Sequence, residues 1–564
     1  METNLNTPGE ELITQPPEKG GKRTVIVIVS LLFVALLAGS AYAYTVLDFL
    51  KSPRQIYLEA ETKGLNDFAK SVGEVYEEYH NKNIKPYLEN TVHSKFEISG
   101  EATGIVPPDP TAVIIMDVLK KSKLIVDTSL DEQNQQSYTK LDVAVEGNNL
   151  LGVEYFVDKN KIALGVPVIY NKYGFADLKD RDKIQTRFGL QTLPKRLVRY
   201  NEFVDALKIS KQDADVILNG YGKLYADSLD DRQVTSRKAT FAEGDTKISA
   251  RELTVTFSEG QFKELLKKFA AKMQNDEKLI DLIYTKQKAW IKLMEDSGNN
   301  PAAQGIKEMT KGEIKTSLNQ FNKNLDDSLK EMKMPEGAKM VLLVDAKDNI
   351  LDRKISFTES GSKVLIRTAG WTGQDKTTNG VFVFKSEEPN QVEEFKIDYT
   401  AKPENDQTTK GTLTVDAKET SAGKQKQLIQ FITGFTVTKE GSKQQAEMMF
   451  SGKFEQETPE KFSGTIRTTI TDNDKNKTRE TDTGVEIKFA QTAEESISGP
   501  GLKLAIKGKE EFGAKLTLPK LDANNSVDLA NATDEEIMKM QQDIQAGLQA
   551  FLVKNQALFQ PFMQ

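Results

Sequence analysis

Two histidines and no cysteine occur in 564 residues, and that scarcity decides which chemistry is open to the chain. Without cysteine there is no disulfide, no thiol nucleophile and no cysteine-ligated metal. His80 lies in a charged helical stretch (EVYEEYHNKN) and His93 in a connecting segment (ENTVHSKFE). A histidine zinc site needs two or three such residues with close carboxylates, and a serine triad needs one beside a nucleophile elbow; neither pattern is present. Asp472, Asp474 and Asn476 have the spacing that opens a calcium loop. The sixth position, where that loop needs glycine, is Lys477, and the twelfth is Thr483, so the segment reads as a hairpin tip. Ser360 and Lys363 have serine–lysine nucleophile spacing but sit in a turn between two strand patterns. Glu77–Glu78, Asp326–Asp327 and Glu510–Glu511 are adjacent acids with lysine nearby, and sequence cannot set two acids across a cleft. Phosphate-binding glycine loops and the H-E-x-x-H metal motif are missing. The reading is a protein without enzymatic activity, with no catalytic, cofactor-binding or metal-binding residue assigned and no cofactor.

The elements that surround these residues are read from patterning. Residues 24–47 form an apolar run without a charge, long enough to cross a bilayer as a helix. Lys19, Lys22 and Arg23 precede it, which places the N-terminus on the cytoplasmic side and the body outside. The alternative is a cleaved signal peptide with Ala41-Tyr42-Ala43 as its cleavage site. Residues 1–23 are polar and read as a disordered tail. Net charge is −7 with 28% charged residues of interspersed sign, which gives no nucleic-acid surface.

Ser52-Pro53 opens a helix with Leu58, Leu65, Phe68, Val72, Val75 and Tyr79 on one side; it packs on its own sheet or forms a coiled-coil stalk. Period-2 alternation follows over 124–130, 141–145, 153–157 and 162–166, joined by short polar turns. A capping box at Ser258-x-x-Gln261 opens a helical stretch. From 336 alternation continues for about 180 residues, before Thr533-x-x-Glu536 caps a last helix whose stripe is Ile537, Ile544, Phe551 and Leu558. That stripe needs an apolar partner, either the second sheet or another chain.

The fold class expected is α+β: one N-terminal transmembrane helix, then two antiparallel β-meander units packed against helices. The divisions are a tail over 1–23, the span over 24–47, a first extracellular unit over 48–335 and a second, β-rich unit with the C-terminal helix over 336–564.

The segments SPRQIYLEAETKGLNDF, LGVEYFVDKNKIALGVPVIYNKYGFADL, SEGQFKELLKKFAAKM and LPKLDANNSVDLANATDEEIMKMQQDI resemble those of single-pass, membrane-anchored surface proteins of Gram-positive spore-forming bacteria, a family without an assigned function. The second segment is also similar to bacterial lipoprotein-carrier folds. The resemblance carries no site residue. The expected function is a membrane-anchored extracellular protein of the cell envelope with a binding or structural role. One alternative is a carrier or sensor of an apolar ligand held between curved sheet and helices; another is an enzyme with an unrecognised acid-based site. The partners implied are the bilayer, through one helix, and an envelope component or apolar ligand.

Overall fold

The computed structural model describes residues 51–556 apart from 105–109, 191–192, 209, 300, 302–304, 360, 455–459 and 491–498. The tail over 1–23 and the span over 24–47 lie outside them, as does Ser360. Among the described residues no helix is long and apolar enough to cross a membrane.

Ten helices are described: α1 (Pro53–Asn83), α2 (Lys85–Glu89), α3 (Pro110–Lys121), α4 (Arg181–Phe188), α5 (Tyr200–Leu207), α6 (Lys211–Asp227), α7 (Glu259–Asn275), α8 (Glu277–Asp296), α9 (Lys311–Glu331) and α10 (Asp534–Lys554). The starts of α1, α7, α9 and α10 are closed by reciprocal caps, Ser52 with Gln55, Ser258 with Gln261, Thr310 with Glu313 and Thr533 with Glu536. Each satisfies two backbone donors that a helix start leaves open.

The strands of the first half are β1 (Thr91–Thr103), β2 (Ser122–Asp131), β3 (Gln136–Val145), β4 (Asn148–Asp158), β5 (Lys161–Val166), β6 (Tyr170–Asp177), β7 (Val234–Glu243) and β8 (Thr246–Phe257). Those of the second half are β9 (Ala338–Val344), β10 (Ile350–Glu359), β11 (Ser362–Thr372), β12 (Thr378–Glu388), β13 (Gln391–Pro403), β14 (Thr408–Ser421), β15 (Lys424–Glu440), β16 (Lys443–Phe454), β17 (Glu460–Asn473), β18 (Thr478–Ala490), β19 (Gly501–Phe512) and β20 (Ser526–Asp528). Hairpins with left-handed tips join several neighbours. Glu146-Gly147 turns β3 into β4 and Ala422-Gly423 turns β14 into β15, both residues having positive φ in each case.

The expectation of two separate meander units is corrected by the pairing. All the strands form one 20-stranded sheet. Its spatial order runs β7 to β19 in chain order, then β1 to β6, then β20. The seam is β1 against β19, in register from Val92 opposite Phe512 to Thr103 opposite Gly501. Every pairing is antiparallel except β20 with β6. β7 and β20 are the edges of the sheet among the described residues.

Helices cover one face of this sheet over β7 to β11. There Leu253, Val255, Phe257, Met340, Leu342, Ile355, Phe357, Val364 and Ile366 are buried under Tyr57 and Leu58 of α1, Tyr221 and Tyr225 of α6, Phe262, Leu266 and Phe269 of α7, and Leu325 and Leu329 of α9. The Tyr57 and Tyr225 hydroxyls are 2.9 Å apart, and burial raises the pKa of both phenols. Beside them the Arg353 guanidinium, rising from β10, donates to buried Glu61 of α1. The last helix does not cover the β9–β19 meander, as its stripe suggested. Ile537 and Phe551 of α10 are buried near β6, where Gly547 lies against the Ile169 backbone so closely that no Cβ would fit; Leu558 is outside the described residues.

The Glu61–Arg353 pair gives a stability test. Glu61→Ala leaves a buried guanidinium uncompensated and costs about 3–5 kcal/mol in a denaturant titration. Glu61→Leu with Arg353→Met removes both charges and recovers most of that loss. Equal losses in the single and double variants would contradict the assignment.

Candidate functional site

Residues opposite one another in neighbouring antiparallel strands share a face, so the register sorts every side chain of the sheet. One row runs Ile397, Val415, Phe431, Gly452, Phe462, Phe489 from β13 to β18. The next runs Tyr399, Leu413, Thr433, Phe450, Gly464, Ile487, Leu502, Ala102 from β13 to β1. A third runs Val437, Ala446, Thr468, Thr483, Ile506, Ile98, Leu124, Val143 from β15 to β3. These rows continue the face that the helices bury over β7 to β11: Phe382 and Phe384 of β12 still touch that core, and Phe395 faces Phe384 across the next pair. Beyond it, among the described residues, only α1 crosses the face, its middle largely exposed. Tyr399 is 39% exposed and Phe489 48%.

This face is paved rather than studded. The rings of Phe435, Phe462, Phe450 and Phe96 lie over Gly411, Gly452, Gly464 and Gly508 of the adjacent strands, where any Cβ would collide with them. Phe431, Phe450 and Phe462 form a cluster with ring centroids 6.2–6.4 Å apart, and Phe454 lies 5.6 Å from Phe462. Such separations are those at which aromatic rings attract.

The opposite face is charged. Ion pairs run along single strands at i, i+2, the spacing that returns to the same face. Examples are Lys396–Asp398 at 2.9 Å, Lys488–Glu486 at 3.2 Å and Lys509–Glu511 at 2.7 Å. Arg467 reaches Glu447 across strands at 2.7 Å. Two grooves of about 450 and 540 Å³ lie on this side of β17, β18, β19 and β1. The larger is bordered by His93, Glu97, Asp482, Lys507 and Glu511.

The residues that sequence singled out are scattered. His80 is on α1, while His93 is in β1, not a connection, with Nε2 3.0 Å from Asp127 Oδ1. Asp472 ends β17 and pairs with Arg479 at 2.8 Å across a hairpin tip, as its lysines implied. Lys363 is in β11. One acid of each adjacent pair is engaged elsewhere. Lys82 holds Glu78 at 2.8 Å and lowers its pKa, Lys330 holds Asp327 at 2.8 Å, and the Tyr87 hydroxyl donates to buried Glu510. Among the described residues no group of three acids or histidines could hold a metal. What sequence reasoning missed is the extent of the uncovered face. Its signal was present in the alternation of β13 to β18.

No family profile matches the chain, and no curated protein does. Solved structures with some likeness include a loop-deletion mutant of OmpT, an outer membrane protein of Vibrio cholerae, at 5% identity over 75% of this chain and 98% of that one, with a TM-score of 0.20. A BenF-like porin from Pseudomonas fluorescens Pf-5 has 6% identity over 76% and 100%, at 0.23. The CymD monoaromatic hydrocarbon channel has 6% over 77% and 92%, at 0.18. At these scores the folds do not superpose, and nothing about this chain's activity is taken from them.

The expectations of family, place and role are nevertheless corrected. The three structures named are outer-membrane proteins and channels, and none is a single-pass surface protein of Gram-positive bacteria. A signal-anchored, single-pass protein of the cell membrane, touching the bilayer through one helix and holding an extracellular envelope-binding or structural body outside, is not carried forward. Neither is a carrier with its ligand between sheet and helices. Where helices meet the sheet, side chains fill the space.

The paving predicts a contrast among glycines. Gly452→Ala and Gly464→Ala force a ring off its neighbour and cost about 1–3 kcal/mol each. Gly434→Ala meets nothing within 4 Å and leaves the midpoint of unfolding unchanged or slightly raised. Three equal effects would refute the flat-ring arrangement.

Proposed function

We propose that this chain is a non-enzymatic transport protein that works at a lipid phase. The sheet meets acyl chains with its apolar face and holds water and polar solutes on its charged face. The observation that carries this reading is the uncovered apolar band on β13 to β19 and β1. A monomeric soluble protein rarely leaves a contiguous apolar surface of this kind exposed, and such a surface marks a contact with protein or lipid. The band's height favours lipid. Ile429 to Val437 on β15, Ala446 to Phe454 on β16 and Phe462 to Ile470 on β17 each span eight residue steps. At about 3.4 Å per residue that is about 27 Å, close to the apolar band of about 25 Å on sheets that cross a bilayer. The alternation agrees, with apolar residues toward lipid and polar residues toward water.

The absence of native cysteine permits a direct test. Single cysteines replace Phe489 and Tyr399 on the apolar face, or Met449 and Arg467 on the charged face. Each carries an environment-sensitive fluorophore and is mixed with vesicles containing lipids brominated on the acyl chain. Quenching at 489 and 399 with none at 449 and 467, together with release of a small polar dye trapped in the vesicles, is expected. Equal or absent quenching at all four positions would overturn the reading.

A further inference from the structure

We propose that α1 is a brace that keeps the sheet open. Neighbouring strands rotate by about 20–25° with a fixed hand, and open sheets much beyond about 10 strands curl, split or close. From β10 to β18 there are eight steps along the sheet, about 38 Å at 4.7–4.9 Å each, with an accumulated rotation of roughly 160–200°. α1 crosses that stretch on the apolar side. Its first two turns are rooted in the core through Tyr57, Leu58 and Ala60, and Glu61 accepts from Arg353 of β10. Its far end meets β15 and β18. Glu78 lies 3.7 Å from Lys439, and the Arg479 guanidinium donates to the Lys82 carbonyl at 3.1 Å. The short helix α2 then fixes the corner, with Tyr87 edge-on to Phe512 of β19 at 5.5 Å.

Between these anchors most of the helix is exposed. Phe68 is 62% exposed and Val75 69%. Tertiary packing supplies most helical stability in proteins, and here it is missing for about four turns. The stretch carries its own support: Lys63–Asp67 at 2.9 Å, Lys70–Glu74 at 3.8 Å and Lys82–Glu78 at 2.8 Å are all four residues apart. A helix that holds itself together with little packing along its middle, its ends pinned eight strand steps apart, acts through its length. From Glu61 to Lys82 that length is about 32 Å at 1.5 Å per residue. A rod of that length prevents the nine strands from β10 to β18 from coiling.

Spin labels on Lys347→Cys, in the β9–β10 turn, and Lys475→Cys, in the β17–β18 turn, measure the distance across the braced stretch. A single narrow distribution is expected with α1 intact, and again with Gly73→Ala, where a Cβ meets nothing. Ala69→Pro with Gly73→Pro breaks the exposed middle and should broaden the distribution and shift it. Arg479→Ala with Lys439→Ala and Tyr87→Ala frees the far end without touching α1, and should do the same. It serves as the decisive variant if the proline pair fails to fold. An unchanged distribution in a folded, anchor-deleted or proline-broken variant would show that α1 is a connection and not a brace.

Discussion

The pairing of β1 with β19 is the interaction on which the rest of the molecule depends. It joins residues about 400 positions apart in sequence, over twelve opposed pairs. Without it β1 to β6 with β20, and β7 to β19, would be two sheets, each with two open edges. With it the apolar rows of both halves meet, as Ile506 stands opposite Ile98, and Ile98 in turn opposite Leu124. The long loop it closes is entropically costly, though that cost grows slowly with length. The pairing also folds the C-terminal meander back onto the start of the chain. There Tyr87, Glu510 and Arg479 lock the end of α1 in place.

Two regimes of burial follow from that continuity. Over β7 to β11 the apolar face is a conventional core, filled by four helices. From β13 onward the same face is paved by its own rings lying across facing glycines. That arrangement reduces the apolar area shown to water without adding a layer. It also explains why most of these phenylalanines are partly exposed and few are fully so. On the reverse side, charges pair along and across strands, which keeps that face wetted and self-neutral.

Much of the local structure was legible in the sequence. Ser52, Ser258 and Thr533 cap helices where the following Pro53 and the spacings to Gln261 and Glu536 said they would, because a cap is a matter of a few neighbouring residues. The alternation of β3, β4, β17 and β18 was also plain. His93 was misplaced because its strand begins with Thr91, His93, Ser94 and Lys95 around a single apolar residue, Val92, which hides the period. What could not be read is everything set by long-range pairing. Nothing local in FEISGEA says that it lies beside LKLAIKG. Alternation names two faces but not what covers each one, so a helix cover was assigned to strands that have none. Likewise the stripe on α10 announced a partner without naming β6, and the stripe on α1 announced packing that stops after Leu65.

The claim most open to direct attack is that one sheet runs through the β1–β19 seam. Ser99 and Ala505 stand directly opposite each other across it. Cysteines at both positions would be the only two in the chain, at the separation a disulfide needs. The structure predicts that they close to a disulfide on mild oxidation of the folded protein, with no free thiol remaining and with melting unchanged or raised. Two thiols that stay reduced and alkylatable under those conditions would mean that the halves are separate sheets and that the continuous apolar face does not exist.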